Sequence, residues 1–154
     1  MKSKNLFTAK RVDNGEWITG DLIANSASPF TFIRADVWLK ADDAIRGIDM
    51  KVLPSTVSQF TGKKLNKEHF IFENTIAFSE VENEDGTDTR QYVVCVWIEE
   101  WCMFAWLTGA EKLLYECGGI KNLEPIDYWT YPIEESEKYH YAGNAFDNSE
   151  LLLS

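Results

Sequence analysis

The sequence predicts an α+β fold in which strands dominate. Three observations lead there. Asn14-Gly15 sits between two apolar segments, the strongest short-range signal for a β-hairpin. Three strand-like runs, Thr75–Val81, Arg90–Ile98 and Trp101–Leu107, follow one another with short connections, which points to a meander or small barrel. Helical spacing is confined to Val37–Ile48 and to a short segment after Thr108.

Taken in order, Phe7, Ala9 and Val12 precede the Asn-Gly turn, and Trp17, Ile18, Leu22 and Ile23 follow it. A loop is expected over 25–29, then a short strand at Phe30–Ile33. Apolar residues at 37, 38, 41, 44, 45 and 48 predict a short helix ending near Gly47. The basic, turn-rich tract Gly62–Glu68 is the candidate boundary, dividing residues 1–62 from 63–154. Asn83–Thr87 reads as a hairpin tip, and Arg90–Ile98 is rich in β-branched and aromatic residues. Thr108 and Glu111 have capping-box spacing, Leu113, Leu114 and Cys117 would form an apolar face, and Gly118-Gly119 would stop that helix. Residues 121–137, with Pro125, Pro132 and several acids, read as an exposed excursion.

The chain has 154 residues, 25 acids and 15 bases, for a net charge of −10. Up to Ala77 there are 11 bases and 9 acids, while the remainder has 4 bases and 16 acids. Glu80, Glu82, Glu84, Asp85 and Asp88 follow one another without an intervening base. Phosphate binding depends on Lys and Arg displacing counterions, so the charge argues against nucleic acid as a partner. No apolar run approaches the roughly 18 residues of a membrane span, and no secretory leader pattern opens the sequence. Cys95, Cys102 and Cys117 form no secreted-type framework. A cytoplasmic protein without membrane association is therefore expected.

Motifs that carry chemistry are missing. The cysteines lack Cys-x-x-Cys spacing and His69 lies far from His140, so no metal site is expected. Cys95 and Cys102 fall in apolar runs, leaving Cys117 as the exposed thiol. The acidic doublets Asp42-Asp43, Glu99-Glu100 and Glu134-Glu135 place neighbours on different faces. No phosphate loop, dinucleotide fingerprint, nucleophile elbow or zinc-protease motif occurs, and no catalytic or cofactor residue is nominated. The most unusual feature is the aromatic load around Trp97, Trp101, Phe104 and Trp106, which makes the strands apolar on both sides. Either both faces are covered within the chain, or these residues are a candidate interface, with a protein partner or a second copy.

Pro54–Gly62, Gly143–Leu152 and Trp17–Gly20 together resemble the YopX-like family of phage and prophage proteins. Pro54-Ser55-Thr56-Val57-Ser58-Gln59-Phe60-Thr61-Gly62 is similar to that family's P-x-T-V-G-Q-[FY]-T-G signature. Gly143-Asn144-Ala145-Phe146-Asp147-Asn148-Ser149-Glu150-Leu151-Leu152 resembles its closing G-N-I-[YF]-[DE]-N-P-E-L-L, and Trp17-Ile18-Thr19-Gly20 fits near the start. Ser58 stands where the family usually has Gly, Ser149 where it has Pro, and Glu73-Asn74-Thr75-Ile76-Ala77 replaces its E-G-D-I-V. The resemblance implies an N-terminal α+β part followed by an SH3-like small β-barrel, and it carries over no catalytic residue. The matched positions Trp17, Gly20, Pro54, Thr56, Val57, Gln59, Phe60, Thr61, Gly62, Gly143, Asn144, Asn148, Glu150 and Leu151 are read as holders of turns and packing.

The function expected on these grounds is a non-enzymatic phage-encoded interaction module. Two alternatives stand beside it: an acidic anti-defence protein that mimics nucleic acid toward a host enzyme, and an enzyme with a weakly marked site.

Overall fold

A computed structural model describes residues 5–25, 27–123, 133 and 138–153. The fold is mainly β, with two compact units, 1–60 and 61–154. The division falls two residues before the expected one.

The first unit is an antiparallel meander. β1 (Phe7–Lys10) pairs with β2 (Trp17–Ile23), β2 with β3 (Thr31–Leu39), and β3 with β4 (Ala44–Val52). A 3-10 turn at Pro54–Thr56 leads into β5 (Ser58–Leu65), whose first residues return beside β1. The end of β4 also reaches β1, since Val12 N–H donates to Lys51 O at 3.0 Å and Leu53 N–H donates to Lys10 O at 2.9 Å. The interior consists of Ala9, Ile33 and Val52, with Phe7, Ile18, Leu22 and Val57 packed against them.

The helix expected over 37–48 is absent. Those residues form the β3–β4 hairpin, with Val37 opposite Arg46 and Leu39 opposite Ala44. The period is two rather than 3.6. Ile33, Ala35, Val37 and Leu39 face inward, whereas Arg34, Asp36 and Trp38 alternate outward and are exposed. The apolar residues at helical spacing were borrowed from both sides of a hairpin. Residues 40–43 make its turn, with Asp43 in a left-handed conformation (φ 49°). The expected α+β N-terminal part therefore has no α-helix among the described residues.

The second unit holds a four-stranded antiparallel sheet ordered β10-β7-β8-β9, from β7 (Thr75–Glu82), β8 (Asp88–Ile98), β9 (Met103–Leu107) and β10 (His140–Asn144). These strands do not close into a barrel. The basic tract at 62–68 is not a linker: β5 runs through to Leu65, which is fully buried, and β6 (His69–Phe72) follows a turn at 66–68. Asn66 and Lys67 take positive φ there, so the turn signal was sound but shorter than expected.

α1 (Gly109–Gly118) begins with the expected capping box: Glu111 N–H donates to Thr108 Oγ1 at 3.2 Å, and Thr108 N–H donates to Glu111 Oε1 at 3.0 Å. Of the acidic excursion, 121–123 close a 3-10 turn from Ile120, and Leu123 and Ile133 are buried. The rest of 121–137 lies outside the described residues. No helix is long and apolar enough to cross a membrane among the described residues.

Candidate functional site

Alternation along β8 and β9 sorts the aromatic residues. Cys95 pairs with Trp106 and Trp97 with Phe104 on one face; Val94 pairs with Leu107, Val96 with Ala105 and Ile98 with Met103 on the other. Each face has its own cover. The first packs with Leu65, Ile71, Ala77, Val93, Ile133 and Tyr139. The second packs with Leu123 and, around its edge, Trp101, Tyr115 and Ile120. Trp106 is 3% exposed, its ring centroid 5.3 Å from that of Tyr139. Its indole N–H has no acceptor among the described residues. Trp101 and Phe104 are half-buried. Trp97, 40% exposed, stacks edge-on against Phe104 at 5.0 Å. The four aromatics are therefore not one surface: Trp101 serves one core, Trp106 and Phe104 the other, and Trp97 reaches solvent.

Several of the motif residues lie close to neighbouring backbone. Trp17 pairs with Lys10, whose ammonium lies 5.6 Å from its ring centroid. A Cβ at Gly20 would overlap the carbonyl of Arg34 on β3. Pro54 opens the 3-10 turn, and the Thr56 hydroxyl donates to Leu53 O at 2.7 Å while accepting Lys10 N–H at 2.9 Å. Val57 enters the first core, Gln59 is exposed opposite Phe7, and Phe60 N–H donates to Leu6 O at 2.8 Å. The Thr61 hydroxyl donates to Ile71 O at 2.8 Å, and Gly62 has φ 86°.

In the closing tract Gly143 has φ 136°, and a Cβ there would strike the Asn148 side chain. Asn148 Oδ1 accepts Asn144 N–H at 3.3 Å, and Asn144 Oδ1 accepts the N–H groups of Phe146 and Asp147, each at 3.0 Å. Glu150 is exposed and Leu151 half-buried in the last 3-10 turn. The two asparagine side-chain oxygens accept from nearby backbone N–H groups, and Asn144 Nδ2 also donates to Asp147 Oδ2 at 3.2 Å.

No group of three His, Cys, Asp or Glu side chains suited to a metal occurs among the described residues. Cys95 is buried, and burial pushes its thiol well above the ordinary value, with Glu73 adding to the effect. Cys102 is exposed together with Cys117, contrary to expectation. The Glu99-Glu100 break continues as a 3-10 turn through Trp101, and Cys102 closes it with φ 49° instead of entering β9. Glu73 is half-buried, and that burial raises its carboxyl above the ordinary range, opposed by the charge of Lys112.

Two pairs of exposed apolar residues stand out among the described residues. α1 buries none of its residues: Leu113 is 60% exposed and Leu114 49%, so the expected apolar face of the helix looks outward. Tyr115 is the α1 residue that joins a core; its hydroxyl donates to Glu100 Oε2 at 2.8 Å and accepts Glu99 N–H at 3.2 Å. In the first unit, Trp38 and Ile45 oppose each other across β3 and β4 and are 55% and 65% exposed. The sequence signalled neither directly. Leu113 and Leu114 look like any helix core stripe, and Trp38 was absorbed into a helical period.

The acidic run occupies the β7–β8 hairpin, with Glu82 directly opposite Asp88 and Glu80 opposite Arg90. Asp85 holds the tip by accepting Thr87 N–H at 3.0 Å, and its bonds to Thr87 lower its carboxyl below the usual range. Comparison of the chain with protein-family models, with curated proteins and with solved structures finds no match in any of the three.

Proposed function

We propose that the chain is a non-enzymatic protein-interaction module of the YopX-like phage and prophage type, working in the cytoplasm of a bacterial host. The observation that carries the interaction reading is α1: a capped helix that lends Tyr115 to a core of its unit while presenting Leu113 and Leu114 to solvent. Exposed leucines on an ordered helix suit the helix-face mode of protein recognition. The family reading draws support from the motif tracts, which occupy positions the backbone needs.

The finer fold reading, an SH3-like small barrel, fits the first unit better than the second, where the resemblance put it. Its support is the meander of β1 to β4, the 3-10 turn before β5, the return of β5 beside β1, and the Arg11–Val52 bridge. The test of function is affinity capture from host lysate with the wild-type chain and a Leu113→Ser/Leu114→Ser variant. A host protein held by the first and lost by the second is expected. Equal retention by both would contradict the α1 surface.

A second reading, an acidic anti-defence protein, is favoured by Glu82 facing Asp88 with Glu84 and Asp85 beyond them. Like charges directly opposite are unfavourable in a hairpin and are relieved by a basic partner. Salt-sensitive inhibition of a host nuclease, abolished by Glu82→Lys/Asp88→Lys, is its expected signature; no inhibition at low salt would refute it.

A further inference from the structure

We infer that the outer edge of β4 is a self-pairing strand, joining two copies of the chain through a two-fold axis at Gly47. The first unit's sheet ends at β4, and among the described residues no strand lies beyond it along Ala44–Met50. Which backbone groups face outward follows from the strand's far end. Lys51 O and Leu53 N–H bond to β1, so these odd-numbered residues point away from β3. Backbone groups of alternate residues point the same way along a strand. Ile45, Gly47 and Asp49 therefore direct their N–H and C=O groups to the open side. The next in the series, Lys51, already has its carbonyl taken by Val12.

The open set is thus three residues long and symmetric about Gly47. An antiparallel second copy centred there pairs Ile45 with Asp49 of the other copy, Gly47 with Gly47, and Asp49 with Ile45. All six outward groups on each side are used, and Lys51 is left to β1. A shift by one residue would set outward groups against inward ones and exchange the faces. A shift by two either requires Lys51 or abandons Asp49.

The side chains agree with that register. Arg46 falls opposite Ile48 and Ala44 opposite Met50, so no like charges are directly opposed. Asp49 is paired on its β3 side with Arg34, with bonds of 2.6 Å and 3.1 Å, and meets only the uncharged Ile45 across the junction. The residue on the axis has no side chain to separate the strands. Ile45, 65% exposed, would gain cover at the junction. Backbone direction in β4 sets this pairing, independently of the α1 surface.

The test is sedimentation velocity of the full chain over a wide concentration range, with Ile45 changed to each charge. Ile45→Asp sets Asp against Asp49 of the other copy twice, which should weaken dimerisation roughly tenfold. Ile45→Lys sets Lys against Asp49 and should dimerise at least as well as wild type. Leu113→Asp on α1 should leave dimerisation unchanged. Ile45 is largely exposed, so both variants keep the fold, which circular dichroism checks. A wild-type chain that stays monomeric throughout, an equal response to Asp and Lys at position 45, or a dimer broken by Leu113→Asp would overturn the inference. A monomer that instead pairs this edge with an extended peptide of another protein falls among the overturning results.

Discussion

The β3–β4 and β8–β9 pairs are built from similar material and lead opposite lives. Both are antiparallel, and both carry aromatic and β-branched residues. β3 alternates from Ile33 onward, burying Ile33 while Arg34, Asp36 and Trp38 face solvent. β8 and β9 bury Val94, Cys95, Ile98, Ala105, Trp106 and Leu107 on two faces. The difference lies in cover. β8 and β9 have a core on each side, so neither face is left for a partner along most of their length. The crowd of aromatics that looks most like an interface in the sequence is largely interior, while Trp38, unremarked in its alternating strand, is open.

The largest expected effect tests that contrast. Leu107→Ala should destabilise the chain by about 2–5 kcal/mol in urea unfolding, because it opens a cavity in a packed core. Trp38→Ala should stay within about 0.5 kcal/mol, as exposed substitutions usually do. Comparable losses from the two would erase the distinction between a covered and an open hairpin.

A smaller effect concerns the backbone. Gly143→Ala should destabilise by about 1–3 kcal/mol, since it places a side chain at φ 136° and against Asn148. Gly62→Ala, at φ 86° but with open space around it, should be milder. A harmless Gly143→Ala would mean that the closing tract is kept for something other than its turn.

The smallest effect is electrostatic. The half-buried Glu73 carboxyl has its pKa raised in the folded state by burial. A raised folded pKa means that stability is fully present below the ordinary carboxylate range and is lost as pH rises through the native value. Glu73→Gln should therefore match wild type in acid and exceed it slightly at neutral pH, read from unfolding midpoints across that range. Identical pH profiles would show that Lys112 fully offsets the burial.

Much of the second unit was legible beforehand. The β7–β8 hairpin tip, the strands at Thr75–Glu82 and Asp88–Ile98, and the Thr108 capping box depend on local chemistry that the sequence displays directly. The first unit misled because Val37, Trp38, Ala41, Ala44, Ile45 and Ile48 satisfy helical spacing by coincidence across a turn, and only pairing with β2 and β4 decides otherwise. β5 was hidden for a related reason. Gln59, Gly62, Lys63 and Lys64 are exposed and polar, so the strand looks like a linker until Leu65 is seen at the core. The outward direction of Leu113 and Leu114 was not legible, because periodicity identifies a face without saying what it meets.

Residue-resolved amide exchange at several protein concentrations tests most directly the claim that the interior and the contact surface lie in different strands. The amides of Val94 to Ile98 should be slow at every concentration, and those of Ile45, Gly47 and Asp49 should slow only as concentration rises. The account is contradicted if Ile45, Gly47 and Asp49 exchange at one rate throughout while the β8 amides gain protection with concentration.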